Sequence, residues 1–310
     1  MATSSEDRAN VYTRVTNQII QAIEAGTDSW IMPWHAGDKA FRFPVNVATG
    51  KRYRGVNVIS LWAAADVQGY PEALWGTFKQ WADLGHFVRK GEKASVGVFW
   101  KPIDVDQSDE DQADDADHQI GQRWMARAFP LFNAAQIEGY QSPELPATPA
   151  QQRIYRAEEF FAALGADIRH GGDRAYYRPA TDHIQMPAFT AFPDPIDYYS
   201  TLAHEATHWT AAESRMARDL SGRFGSQSYA AEELVAELGA AFISADLELS
   251  PQLRPDHAAY IQSWLKILKA DNRAIFTASS HAQRATDYMI SLQTSALLPV
   301  AHEGALQPAL

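Results

Sequence analysis

No cysteine occurs anywhere in the 310 residues. That absence removes disulfides, thiol nucleophiles and cysteine-ligated zinc together, and leaves any metal site to His, Glu and Asp. No apolar run approaches the roughly 18 residues needed to cross a bilayer. The opening "MATSSEDRANVYTRV" lacks the basic-then-apolar plan of a secretory leader. A cytoplasmic chain without a membrane partner is expected. No internal repeat is visible, and the length makes two domains the default, each able to bury a core of its own.

Positive charge is scarce overall, with a net charge of −11, but it is segregated. Residues 39–101 carry ten Lys/Arg against four Asp/Glu, a local balance of +6. Residues 104–117, "DVDQSDEDQADDAD", then hold eight acids and no base. A basic module, an acidic spacer and an acidic module is the simplest description.

Periodicity organises the rest. Residues 8–25 space Val11, Val15, Ile19 and Ile23 as the buried stripe of a helix ended at Gly26. A hairpin around Thr49-Gly50 and a short helix near "VNVISLWAAADVQ" follow. A strand "SVGVFW" comes next, and "RWMARAFPLFNAAQIEGY" reads as its returning partner. The acidic stretch, about 104–121, is therefore expected as an insertion between two strands of one sheet. The front domain is placed at 1–140 and is mixed α/β. Residues 141–151, "QSPELPATPAQ", with three prolines, form the linker. The second domain spans 152–300, ahead of a tail at 301–310. There "RAYYRP" and "DHIQMP" flank a turn at Ala180-Thr181 as a hairpin. Asp194-Pro195 is an N-cap with proline in the first turn, opening a helix through about Ser214. Three further helices make this domain mostly helical with a small β-sheet, and the whole chain α+β.

Within the Asp194 helix, "HEATH" sets His204 and His208 four apart, on one face, with ring nitrogens able to converge on an ion. Glu205 stands about 100° round, close enough to take a proton from a water on that ion without being a ligand. The plainer alternative is a partly exposed helix carrying two satisfied histidines. A catalytic zinc keeps three protein ligands and one open position. The next helix supplies Glu232, Glu233 and Glu237, the last two beside the apolar Leu234, Leu238, Ala241 and Phe242. Buried carboxylates need a cation or donors. Glu233 is assigned as third ligand, with Glu237 bonding the far nitrogen of a ligating histidine; the alternative exchanges the two roles. Zinc is the first choice of ion, Mn2+ or another divalent ion the second. Tyr176, Tyr177, His183, Tyr229 and His281 are candidate oxyanion donors, and the 175–187 hairpin could offer an edge for an extended peptide.

The front half mixes its cations with Trp30, Trp34, Phe41, Phe43, Tyr53, Trp62, Trp75, Phe78, Trp81, Phe87, Phe99 and Trp100. Cations that follow phosphates and aromatic faces that stack on bases hold single-stranded nucleic acid without sequence readout. The expected contacts are Lys51, Arg52, Tyr53 and Arg54 in "KRYRG", with Arg89, Lys90 and Lys93 in "VRKGEK". The alternative is that most of those rings are core and the charge a solvated surface.

At this point the motifs resemble a family. "PVNVATGKRYRGVNVISLW", "LGHFVRKGEKASVGVFW" and "FNAAQIEGY" resemble the N-terminal domain of the ArdC family of plasmid antirestriction proteins, a domain also met in conjugal DNA primases. "GGDRAYYRPATDHIQMP", "HEATHWT", "RFGSQSYAAEELVAELGAAF" and "WLKILKADNRAIFTASSHAQRA" resemble its zincin-type peptidase domain. The resemblance covers nearly the whole chain in the same order; the acidic run matches nothing in it. It implies a plasmid-encoded bacterial protein, cytoplasmic, that binds single-stranded DNA and shields incoming DNA from restriction during conjugation; a monomer is expected. It also implies a zincin-type metal site with Glu205 as base; in one reading the protein is a DNA-tethered metallopeptidase that cleaves a host protein, a restriction-system subunit being one candidate. The competing reading is a DNA-binding shield whose metal site is structural or vestigial.

Overall fold

The structure, a computed structural model, describes residues 5–26, 42–103, 123–141, 148–220, 226–249 and 257–296. Trp30, Trp34, Phe41, the acidic run, residues 142–147 of the linker and the 301–310 tail lie outside them. The first helix, α1 (Ser5–Gly26), buries Val11, Val15, Ile19 and Ile23 as its spacing predicts. After β1 (Val45–Asn46) the chain turns: Asn46 Oδ1 accepts from the Ala48 and Thr49 amides at 3.1 and 3.0 Å. The expected hairpin is thus a side-chain-closed turn with one antiparallel bridge, Val45 to Arg52. Gly55 leads into α2 (Val56–Gln68) with φ 55° and ψ −133°, a conformation open to glycine and little else.

A four-stranded sheet in the order β1-β2-β4-β3 completes the front domain, together with the short α3 (Phe78–Asp83). Its strands β2 (Leu74–Gly76), β3 (Ser95–Ile103) and β4 (Arg123–Asn133) are antiparallel neighbours where they pair. The β3–β4 pairing from Ser95↔Leu131 to Ile103↔Arg123 makes residues 104–122 the connection of a hairpin. The outer edge of β3 is occupied by α2: Asn57 bonds both the amide and carbonyl of Val98 at 2.7 Å, and Ser60 Oγ donates to Val96 O. Side chains thereby close an edge that would otherwise template another strand.

The second domain begins with α4 (Ala150–Ala163) and a three-stranded sheet ordered β5-β7-β6. Here β6 (Tyr176–Arg178) and β7 (His183–Met186) form the expected hairpin. The segment "ADIRHGG", whose residues show no alternation, becomes β5 (Asp167–His170) by pairing parallel to β7. Four helices follow: α5 (Pro195–Trp209), α6 (Gln227–Asp246), α7 (His257–Ala270) and α8 (Ala274–Ala296). Asp194 caps α5 by accepting from the Ile196 amide at 2.7 Å, with Pro195 in its first turn.

Each domain has some core of its own, but the largest apolar cluster is shared by both. Phe43 and Trp62 of the front domain meet Phe242 of α6, with ring centroids 5.8–6.0 Å apart. The buried face of α1 belongs to the same cluster as Trp264 and Leu268 of α7. Once the front helices present apolar faces to α6 and α7, burying them there removes more surface from water than two separate cores would. No helix among the described residues is long and apolar enough to cross a membrane.

Candidate metal centre

Helices α5 and α6 approach unusually closely, and a glycine permits it. A Cβ added at Gly239 would lie 2.5 Å from both Thr207 Cγ2 and Oγ1, so only a hydrogen fits between the α6 backbone and the Thr207 side chain. His204 lies one turn before Thr207 and His208 directly follows it, so this contact brings both α5 histidines against the α6 carboxylates. Thr207 itself donates to Ala203 O at 2.8 Å and presents no free hydroxyl to the seam.

His204 Nε2 lies 3.5 Å from Glu233 Oε2, and His208 Nε2 lies 3.6 Å from Glu233 Oε1. One donor atom from each of the three residues falls within 4.8 Å of the others. Tetrahedral ligands bonded at about 2.0–2.1 Å are separated by roughly 3.4 Å, so each His–Glu233 separation is close to that around a zinc-sized ion, with a different carboxylate oxygen nearest each ring. The far nitrogens also face acids: His204 Nδ1 is 3.7 Å from Glu237 Oε2, and His208 Nδ1 is 3.2 Å from Glu232 Oε1. Carboxylates in those places orient a ligating imidazole and fix which nitrogen carries the proton. The structure therefore puts Glu233 between the two Nε2 atoms and Glu237 behind His204.

Glu232 and Arg218 complete the centre, and sequence reasoning gave neither a role. Arg218 reaches Glu232 at 2.9 and 3.1 Å, and donates to Thr207 O and Thr210 Oγ1 at 2.7 and 2.8 Å. Arg215 donates to Trp209 O at 2.6 Å and its guanidinium stacks 4.0 Å from the Trp209 ring centroid. These cations satisfy the last carbonyls of α5, which is why the helix stops at Trp209 rather than near Ser214. A cluster of Arg in "SRMAR" just past a histidine helix was the available signal. Burial pushes the Glu232 carboxyl up, but His208 and Arg218 outweigh it and hold it below the usual range. Burial likewise opposes ionisation of Glu233, and His204, His208 and the Tyr229 hydroxyl bonded to it win. Glu232 thus has its cation in Arg218, whereas Glu233 is buried between two imidazoles with no arginine or lysine among the described residues paired to it.

Glu205 is buried and its Oε2 accepts from the Tyr177 amide at 2.9 Å, on β6, the outer strand of the small sheet. Among the five candidate oxyanion donors, Tyr229 is the one bonded to a member of the cluster. The Tyr177 hydroxyl instead donates to Asp182 at 2.9 Å, and burial and that acid push its pKa up to about 12. Tyr176 packs under Arg178, His183 is buried against Thr181, and His281 sits on α8.

The front-domain residues fare differently. Arg52 and Arg54 form ion pairs with Asp246 and Asp287 of the second domain, and Arg89 with Glu92. Tyr53 is half-buried with its hydroxyl accepting from Asn46, while Lys51, Lys90 and Lys93 extend into solvent. Among the described residues no hydrogen bond or ion pair joins the 51–54 turn to the 89–93 turn. Of the aromatic rings, Phe43, Trp62, Trp75 and Trp81 are buried, whereas Phe78, Phe87, Phe99 and Trp100 are exposed. Trp124, exposed as well, was not singled out because it follows the acidic run.

Fold and site together define a two-domain protein with a zincin-like metallopeptidase domain, the family that residues 155–281 match. Residues 9–132 match the N-terminal domain of anti-restriction factor ArdC. The chain belongs to the ArdC family. It is 39% identical to the antirestriction ArdC protein from the R388 plasmid in a metal-free crystal structure (TM-score 0.74, covering 92% of this chain and 98% of that one). A Mn(II)-bound structure of that protein is 38% identical (TM-score 0.73, 91% and 98%). Protein y4eC of Sinorhizobium fredii is 53% identical over 93% of this chain and 94% of its own length. A DNA primase TraC of Escherichia coli is 36% identical over 98% of this chain, which spans 29% of that primase.

Proposed function

We propose that this chain is an antirestriction protein that binds single-stranded DNA and carries a metal-dependent peptidase. The observation that supports it most is the convergence of His204 Nε2 and His208 Nε2 on Glu233, with Glu205 buried on the same helix. His204, His208 and Glu233 would hold a divalent ion, and when bound it would polarise a peptide carbonyl and make a water acidic near neutrality. Zinc suits two imidazoles and a carboxylate; Mn2+ is the ion seen in the R388 relative.

The chain's own groups then divide the work. Glu205 takes the proton of the attacking water and returns it to the leaving amine, held in place by the Tyr177 amide. Glu237 and Glu232 hold the two imidazoles, and Arg218 holds Glu232. The Tyr229 hydroxyl, a donor at the cluster, is our choice for the developing oxyanion. The outer strand β6 offers a backbone edge beside Glu205 on which an extended host peptide can lie. DNA binding is supported by the family, the local excess of cations and the exposed rings of the front domain.

Glu205→Ala tests the reading. The variant should keep its metal and its affinity for single strands while losing peptide cleavage and protection of transferred DNA. Full protection by Glu205→Ala would favour a DNA-binding shield with a structural ion. Indifference of strand binding to salt between about 50 and 200 mM would count against phosphate contacts.

A further inference from the structure

Away from the metal centre, at the seam of the two domains, lies a cleft of about 600 Å3. Ligand-sized sites run from about 300 to 1,000 Å3. None of His204, Glu205, His208 or Glu233 lines it. Its walls come from both domains: Tyr12 of α1, Trp100 of β3, Trp124 of β4, Arg54 of the 51–54 turn, and Arg273 and Arg284 at and within α8. Trp100 pairs with Ala126, two residues from Trp124, so the indoles are diagonal neighbours on one face of the hairpin. They are 43% and 45% exposed, while Trp75, Trp81 and Trp264 are fully buried. The Tyr12 ring lies 6.2 Å from Trp100, and the Arg273 guanidinium sits 4.9 Å from the centroid of Tyr12.

Charge sorts the possible occupants. Three arginines face the cleft against one aspartate, Asp287, which Arg54 already neutralises. Among the described residues Arg284 enters no ion pair. An apolar ligand would leave the guanidinium groups unanswered, and a simple anion would leave the indoles idle. A unit with a flat aromatic face and a phosphate satisfies both.

We propose that this cleft is a stacking site for one nucleotide unit of a single strand, its base against Trp100 and Trp124 and its phosphate on Arg273 and Arg284. The assignment rests on the reading that the chain binds single-stranded DNA. It moves the base contact from the basic turns to the seam, where a bound strand touches the domain that carries the metal centre.

Fluorescence anisotropy of a labelled oligo(dT) with the full-length protein tests it. Trp100→Ala and Trp124→Ala should each weaken binding by about tenfold, the scale of one lost base stack, with melting temperature and metal content unchanged. Arg273→Gln with Arg284→Gln should flatten the slope of log K against log salt by about 1.4, or about 0.7 for each phosphate contact. If wild-type protein binds oligo(dT) and all these variants match it, the cleft is wrong and the DNA reading stands. If wild-type protein binds no strand, both fall. Thymidine monophosphate competing as strongly as the oligomer would assign the cleft to a free nucleotide and overturn the strand proposal.

Discussion

The histidines of α5 and the arginines of the front turn both reach across to carboxylates of another element, yet the two regions do opposite things with them. His204 and His208 face Glu233 with their side chains only 9% and 13% exposed. Arg52 and Arg54 meet Asp246 and Asp287 while 53% and 63% exposed. In the first region, water cannot screen the acids, so the geometry creates a demand for a cation. In the second, solvent already satisfies each partner, and the pairs only align the two domains over their shared core. Burial, more than the identity of the charges, separates a site from a seam.

Breaking the buried side should cost most. His204→Ala should abolish stoichiometric binding of a divalent ion in equilibrium dialysis, because two ligands cannot hold what three were spaced for. Removing the ion from wild-type protein with a chelator should lower the melting temperature, and adding it back at about 100 times Kd should restore about 2.7 kcal/mol. Arg218→Gln should retain all three ligands but free Glu232, weakening metal binding by about 10–100-fold. Gly239→Ala should destabilise by about 1–3 kcal/mol in urea unfolding, despite the better helix former, because its methyl overlaps Thr207. Its metal affinity should fall too, whereas Gly239 replaced by any larger residue should be worse. Least of all, Arg52→Ala and Arg54→Ala should each cost under about 1 kcal/mol. A larger loss there would mean that the seam is more than an alignment device.

Spacing explains what could be read without coordinates. Val11, Val15, Ile19 and Ile23 reveal a buried stripe, and Asp194-Pro195 a helix start, because the signal and the structure lie within one or two turns. His204, Glu205, His208 and the α6 acids were legible for the same reason: periodicity fixes which side chains share a face. What escaped depends on where the chain returns. Arg218 meets Glu232 only after α6 folds back, and β5 becomes a strand only beside β7. Arg52 and Arg54 are 194 and 233 residues from their partners, so in sequence they look like free cations suited to phosphate. Composition identified the basic, aromatic character of the front half, but only packing separates buried Trp62 and Trp81 from exposed Trp100 and Trp124.

The most direct test is an anomalous-difference map from crystals grown with Mn2+ or Zn2+, measured at the absorption edge of that metal. The account predicts one peak between α5 and α6, within about 2.0–2.2 Å of His204 Nε2, His208 Nε2 and a Glu233 oxygen, with one position left for solvent. A peak bonded to Glu237 in place of Glu233, or no peak between these helices at full metal loading, would contradict it.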